Sequence, residues 1–269
     1  MVRHHTFKNG LRLIVRRMDG LLSVSMGILV GAGAAYETAR EDGISHYIEH
    51  MQFKGTETRN AREISDAFDN IGAQVNAFTG KDMTCYYSKA TASHAEEAFG
   101  LLSDLFLHSI LPEEEAVREK EVICEEIAMN EDTPEDLCLD ILAHAMYGEE
   151  GYGRNILGPA ANVRGFTKAA VDEYKSQLYR PENIVVSFAG DITFDKAKEL
   201  TEQYFGGMEG GKVRRRDKSV LSLRRTLFKN KKIAQVPLAV AYPGICRTAT
   251  SVEAAKILNT LLGRGMRSP

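Results

Sequence analysis

Five consecutive residues, His46-Tyr47-Ile48-Glu49-His50, form the pattern H-x-x-E-H. On a helix, imidazoles at i and i+4 stand one turn apart on one face, and a carboxylate at i+3 shares that face. Neutral imidazoles are good zinc ligands, and a carboxylate beside them can take a proton from water. The chemistry suggested is metal-assisted hydrolysis. The chain holds 7 histidines in 269 residues, so a chance occurrence of the pattern is on the order of one per cent. The plainer reading is an amphipathic helix with surface histidines. Against it, Ile44, Ile48 and Met51 make an apolar stripe at helical spacing, with Glu49 and His50 beside it. Polar groups at the margin of a buried stripe need partners, and a metal would supply one.

A catalytic zinc takes three protein ligands and keeps one position open. The third ligand is sought on a second helix, and the segment around Glu119–Ile127 supplies acidic residues beside an apolar stripe of Ala116, Ile123 and Ile127. By helical phase Glu119 and Glu126 both flank that stripe, about 20° from each other, whereas Glu121 and Glu125 point away. One of the pair can bind metal while the other orients a ligand or carries a proton. A closed structural zinc cage is rich in cysteine, and none of Cys85, Cys124, Cys138 and Cys246 lies near His46 or His50 in sequence. His94 and His144 lack a spaced partner and read as helix surface or core.

The elements that must hold these residues can be read from periodicity. Leu11, Leu13 and Val15 alternate after the turn Asn9-Gly10, and 23–30 is a second strand. The metal-site helix is expected over 43–53 and a second helix over 61–71, closed by Gly72. Strands follow at 74–78 and 84–90, then helices at 94–108, 112–130 and 134–147, and a glycine-rich loop at 148–158. A helix at 168–178, a strand at 183–189 and a helix at 194–205 complete the pattern. The expected fold class is α+β, a mixed, mostly antiparallel sheet packed with helices.

Composition excludes some functions. Apolar content of 43%, charged content of 26% and a net charge of −3 describe an ordinary globular chain. No apolar run is long enough to span a bilayer, so no membrane partner is expected. Residues 111–150 hold fourteen acidic and two basic residues, and 212–232 hold ten basic and one acidic. The acidic run reads as solvated helix faces or as a wall that attracts cationic peptides. The basic run follows paired glycines, reads as a surface linker, and has no interleaved aromatics for base stacking, so nucleic acid is not expected. Gly31-Ala32-Gly33-Ala34-Ala35 lacks the third glycine of a dinucleotide loop. The absence of C-x-x-C pairs suggests structural thiols in a reducing, cytoplasmic compartment.

With these motifs in place the chain resembles the pitrilysin, insulin-degrading-enzyme and mitochondrial-processing-peptidase family of zinc metallopeptidases, the inverzincins. The segment from Gly43 to Thr56 is similar to the family's active-site helix, and Glu119 to Ile127 to the helix carrying its distal glutamate. Val75-Asn76-Ala77-Phe78-Thr79 resembles the strand beside the site, and Arg180-Pro181-Glu182-Asn183 also matches. The resemblance implies zinc held by His46, His50 and Glu126, with Glu49 as general base and Glu119 as a supporting carboxylate. It implies a peptide substrate lying extended against an edge strand, in contact with Asn76 and Ala77. A preference for basic residues near the cut, as in processing peptidases, would suit the acidic run.

The family builds a clamshell from paired α+β halves. The resemblance therefore divides the chain into a zinc-binding domain at 1–210, a basic linker at 211–232 and the start of a second domain at 233–269. In that last part 233–242 resembles a first strand, 251–262 a first helix and 263–266 a glycine-rich turn. The expectation is one half of a clamshell metalloendopeptidase that works as a homodimer or with a second half-chain. The alternative is a fragment or partner subunit that binds zinc and peptide and needs a second domain for proteolysis.

Overall fold

A computed structural model describes residues 1–216, 221, 226–233, 235–245 and 248–264. Cys246 and the turn at 265–266 lie outside the described residues. Residues 1–237 form one compact unit and 238–269 a second.

The first unit is built on one six-stranded sheet. Its strands are β1 (Val2–Thr6), β2 (Arg12–Arg17), β3 (Ser23–Val30), β4 (Gln74–Thr79), β5 (Thr84–Thr91) and β6 (Ile184–Gly190), in the order β1-β2-β6-β3-β5-β4. Only β2 and β6 run parallel; the other neighbours are antiparallel, as the periodicity and the resemblance imply. Alternation decides the faces. Leu13 and Val15, Val24 to Val30 at every second position, and Ile184, Val186 and Phe188 are buried on one side. The opposite side leaves Ile14, Phe78 and Tyr87 largely exposed.

The helices of this unit are α1 (Ile44–Gln52), α2 (Ala61–Asn70), α3 (Ala95–Leu107), α4 (Glu113–Asp132), α5 (Pro134–Tyr147), α6 (Ala160–Gly165), α7 (Lys168–Leu178) and α8 (Phe194–Phe205). The short α6 was not anticipated from periodicity. Their starts follow local chemistry. Asn60 and Glu63 form a capping box on α2, and Thr167 and Thr193 cap α7 and α8 through their hydroxyls. Pro134 occupies the first turn of α5, where its missing N–H costs nothing. The buried face of the sheet meets α3 and α8 through an aromatic cluster: the ring centroid of Phe99 lies 4.7 Å from that of Phe188, and that of Phe106 lies 5.9 Å from that of Phe205 on α8. Among the described residues no helix is long and apolar enough to cross a membrane.

In the second unit the expected helix forms as α9 (Val252–Asn259), followed by a wide turn over Thr260–Arg264. The expected strand over 233–242 does not form among the described residues. Val236, Leu238, Val240 and Tyr242 keep the alternation of a strand but are 86%, 87%, 66% and 81% exposed. A strand is held by the ladder of a neighbour, and none of the described strands pairs with this segment.

Candidate metal centre

The positioning of α1 begins outside it. Its N-cap is Gly43, with φ 94°, and a Cβ there would sit 2.6 Å from the carbonyl oxygen of Leu157. Only glycine combines that left-handed turn with that approach. A glycine cap has no side chain to accept the free N–H groups of the first turn. Glu37, distant by six and eight residues, accepts them instead: Gly43 N–H donates to Oε2 and Ser45 N–H to Oε1, each at 2.8 Å. At the other end buried Gln52 donates to the carbonyls of Leu105 and Phe106 at 3.2 and 3.0 Å. Between them Ile44, Tyr47, Ile48 and Met51 are buried. The helix is thus clamped at both ends and along one face, and it presents His46, Glu49 and His50 on the other.

Burial lifts the Glu37 carboxyl to about 7, against the lowering effect of its hydrogen bonds from Gly43 and Ser45. The native state therefore holds this proton more tightly than the unfolded chain, whose carboxyl titrates near 4.5. The contribution of Glu37 to stability is greatest below the unfolded value and falls as pH rises to about 7. The whole cost is about 3 kcal/mol. In Glu37→Gln, urea unfolding between pH 5 and 8 is expected to lose this slope. Stability at pH 5.5 is also expected to drop by about 1–2 kcal/mol, because the amide NH2 would face a backbone donor. An unchanged pH slope in the variant would remove Glu37 as its source.

α4 brings both glutamates of its inner face to α1. Glu119 is buried, and its Oε1 lies 2.8 Å from His50 Nδ1. Lys54 Nζ lies 2.6 Å from the other oxygen, Oε2. Two turns on, Glu126 Oε2 lies 3.7 Å from His46 Nε2 and 3.5 Å from His50 Nε2, and the two Nε2 atoms are 3.2 Å apart. Glu121 and Glu125 are exposed. With Nδ1–H of His50 given to Glu119, its Nε2 lone pair is turned toward the other two donors.

These residues fit a zinc ion on three counts. The edge of a tetrahedron with bonds of about 2.0–2.1 Å is about 3.3–3.4 Å, close to all three separations. Burial, with His50 beside it, holds the His46 imidazole down at about 3, so it is neutral, the form that binds metal. The three residues are also the only group of metal-ligand type among the described residues with converging donor atoms.

Glu49 sits on the same helix face. Its Oε2 accepts the hydroxyl of Thr79 at 2.5 Å, and burial raises its carboxyl above the ordinary range. Thr79 ends β4, the edge strand against α1. On that strand Asn76 is exposed, its Oδ1 accepting the N–H of Ala77 at 2.8 Å, and Ala77 is half-buried. Neither shares a hydrogen bond with the three converging side chains. Glu37, Lys54 and Thr79 were not singled out as site residues from the sequence. Each acts through a contact that no local pattern encodes.

The chain matches the insulinase family, peptidase family M16, over residues 16–160, and the peptidase M16 inactive domain over 165–269. It is 38% identical over its full length to the uncharacterized zinc protease YmxG of Bacillus subtilis, covering 65% of that protein. It is 33% identical to an uncharacterized zinc protease of Streptomyces coelicolor, covering 99% of this chain and 60% of that one. The chain therefore spans a little under two thirds of these relatives. In fold it is similar to a Helicobacter pylori protease, with a TM-score of 0.75, 23% identity and coverage of 82% of this chain and 54% of that one. A peptidase M16 inactive domain from Pseudomonas fluorescens superposes with a TM-score of 0.82 at 18% identity, over 98% of this chain and 65% of that one. The family match over more than half of the chain leads to one conclusion: the chain belongs to the insulinase family of peptidases, family M16.

Proposed function

We propose that the protein is a zinc-dependent metalloendopeptidase acting on small or unfolded peptides, with His46, His50 and Glu126 as the zinc ligands. The observation that carries this reading is the convergence of three donor atoms at 3.2–3.7 Å from two separate helices. When bound, zinc supplies Lewis-acid chemistry: it polarises a scissile carbonyl and makes water a better nucleophile. The chain's own residues do the rest. Glu49 takes the proton of the attacking water and passes it to the leaving nitrogen. Thr79 holds Glu49 Oε2 and leaves Oε1 for that transfer. Glu119 keeps His50 in the tautomer and orientation that ligation needs. An extended peptide pairs with the outer edge of β4, where Asn76 and Ala77 meet its backbone.

The same proposal includes the substrate and the setting. The acidic run at 111–150 favours peptides bearing Arg or Lys. The free thiols of Cys85, Cys124 and Cys138 suit a reducing, cytoplasmic compartment. The domain scheme of 1–210, 211–232 and 233–269 belongs here too, with a second half contributed in a homodimer or by another chain. A second reading, that this chain binds zinc and peptide but needs a further domain for turnover, is favoured by its coverage of 65% of the YmxG sequence.

Zinc content of the purified chain, together with hydrolysis of an internally quenched peptide with and without a chelator, separates the readings. One zinc per chain and chelator-sensitive cleavage support the peptidase. One zinc without cleavage selects the second reading. No zinc, or cleavage indifferent to chelation, sinks the ligand assignment.

A further inference from the structure

Lys54 stands two residues beyond the end of α1, 26% exposed at its side chain, with Nζ 2.6 Å from Glu119 Oε2. Glu119 is 8% exposed at its side chain and spends its two oxygens on two partners, Lys54 and His50 Nδ1 at 2.8 Å. Among the described residues Lys54 is the one lysine or arginine paired with Glu119. The three groups form a continuous line, ammonium to carboxylate to imidazole, that runs from the C-terminal end of α1 across to α4 and back to α1. We infer that Lys54 is a positioning residue for the metal centre: by anchoring Glu119 it sets the orientation of His50 and thereby the affinity for zinc. The inference rests on His50 being a zinc ligand, as proposed above.

The physical reason is the burial of Glu119. A carboxylate oxygen in that position without a partner is costly. With Lys54 gone, Oε2 would turn toward water and draw Oε1 off His50 Nδ1. The imidazole would then lose the acceptor that fixes both its rotation and its tautomer. Partners of this kind change metal affinity by about 10–100-fold when removed. A brace that merely joined α1 to α4 would act on stability and leave affinity alone. A lysine acting through Glu119 lowers affinity, and it does so only while Glu119 is present.

The test is zinc affinity of the full 269-residue chain, measured by competition with a chromogenic chelator, beside thermal unfolding of the same samples. Lys54→Met is expected to bind one zinc with affinity reduced roughly ten- to hundred-fold. Lys54→Arg, which keeps the charge and a donor, is expected to stay within about threefold of the parent. Glu119→Ala is expected to lose affinity as well, and adding Lys54→Met to it to change nothing further. If Lys54→Met does not fold, Lys54→Gln takes its place with the same expectation. Parent-like affinity in the Lys54 variant, or a loss that adds in full to that of Glu119→Ala, overturns the inference. His50→Ala is the control for the underlying reading: unchanged affinity there, or no zinc in the parent, removes the ligand assignment itself and the role of Lys54 with it.

Discussion

His50→Ala is expected to lower zinc affinity by two to three orders of magnitude while the chain stays folded. Zinc bound by a small protein site is worth about 10–16 kcal/mol, so one of four coordination positions accounts for roughly 2.5–4 kcal/mol. That exceeds the roughly ten- to hundred-fold effect expected of a residue that only orients a ligand. His50 is not among the buried core residues of α1, so its loss opens no gap between Ile44, Ile48 and Met51; it does take the partner from Glu119 Oε1, and thermal unfolding of the same sample reads that cost. The same measurement on α4 is a sharper check. Glu126→Gln should lose affinity on the same scale, and Glu125→Gln, exposed one position away, should lose none. Equal effects at 125 and 126 would mean that the acidic character of α4, not the placement of Glu126, attracts the metal.

Glu49→Gln is expected to retain one zinc per chain and to lose turnover by about 10²–10⁴-fold, the usual contribution of a positioned general base. The amide keeps the size of the carboxylate and can still accept the Thr79 hydroxyl that Oε2 accepts now at 2.5 Å. It cannot take a proton from water. Zinc stoichiometry and hydrolysis of a quenched peptide, read on the same preparation, separate loss of chemistry from loss of metal. Cleavage at the parent rate with zinc in place would strike out Glu49 as the base. A parent chain that holds zinc and does not cleave selects instead the reading in which a further domain is required.

Much of the centre is legible along the chain because its spacing is local. His46, Glu49 and His50 lie within five residues, and helical periodicity alone puts them on one face beside Ile44, Ile48 and Met51. The same arithmetic singles out Glu119 and Glu126 from their neighbours on α4; alternation marks β2, and strands are expected where β3, β4, β5 and β6 form. Its limit is also arithmetic. Glu119 and Glu126 differ by about 20° in phase, so periodicity ranks them together. Where α4 crosses α1 separates them: Glu119 lands against His50 Nδ1 and Glu126 beside both Nε2 atoms.

The remaining supports are decided by contacts between distant parts of the chain. Glu37 closes the open N-terminus of α1, Thr79 reaches Glu49 from across 30 residues, and Lys54, in the turn after α1, meets Glu119 of α4. The parallel pairing of β2 with β6 joins segments about 170 residues apart. The segment 233–242 shows the converse, since alternation is present there while no described strand offers it a ladder. By itself the sequence determined which residues are candidates for the chemistry and which faces of their helices they occupy, because both follow from the repeat of one backbone. Only the tertiary structure decided which atoms meet, because the crossing of two helices and the partner of a strand depend on packing that no short window contains.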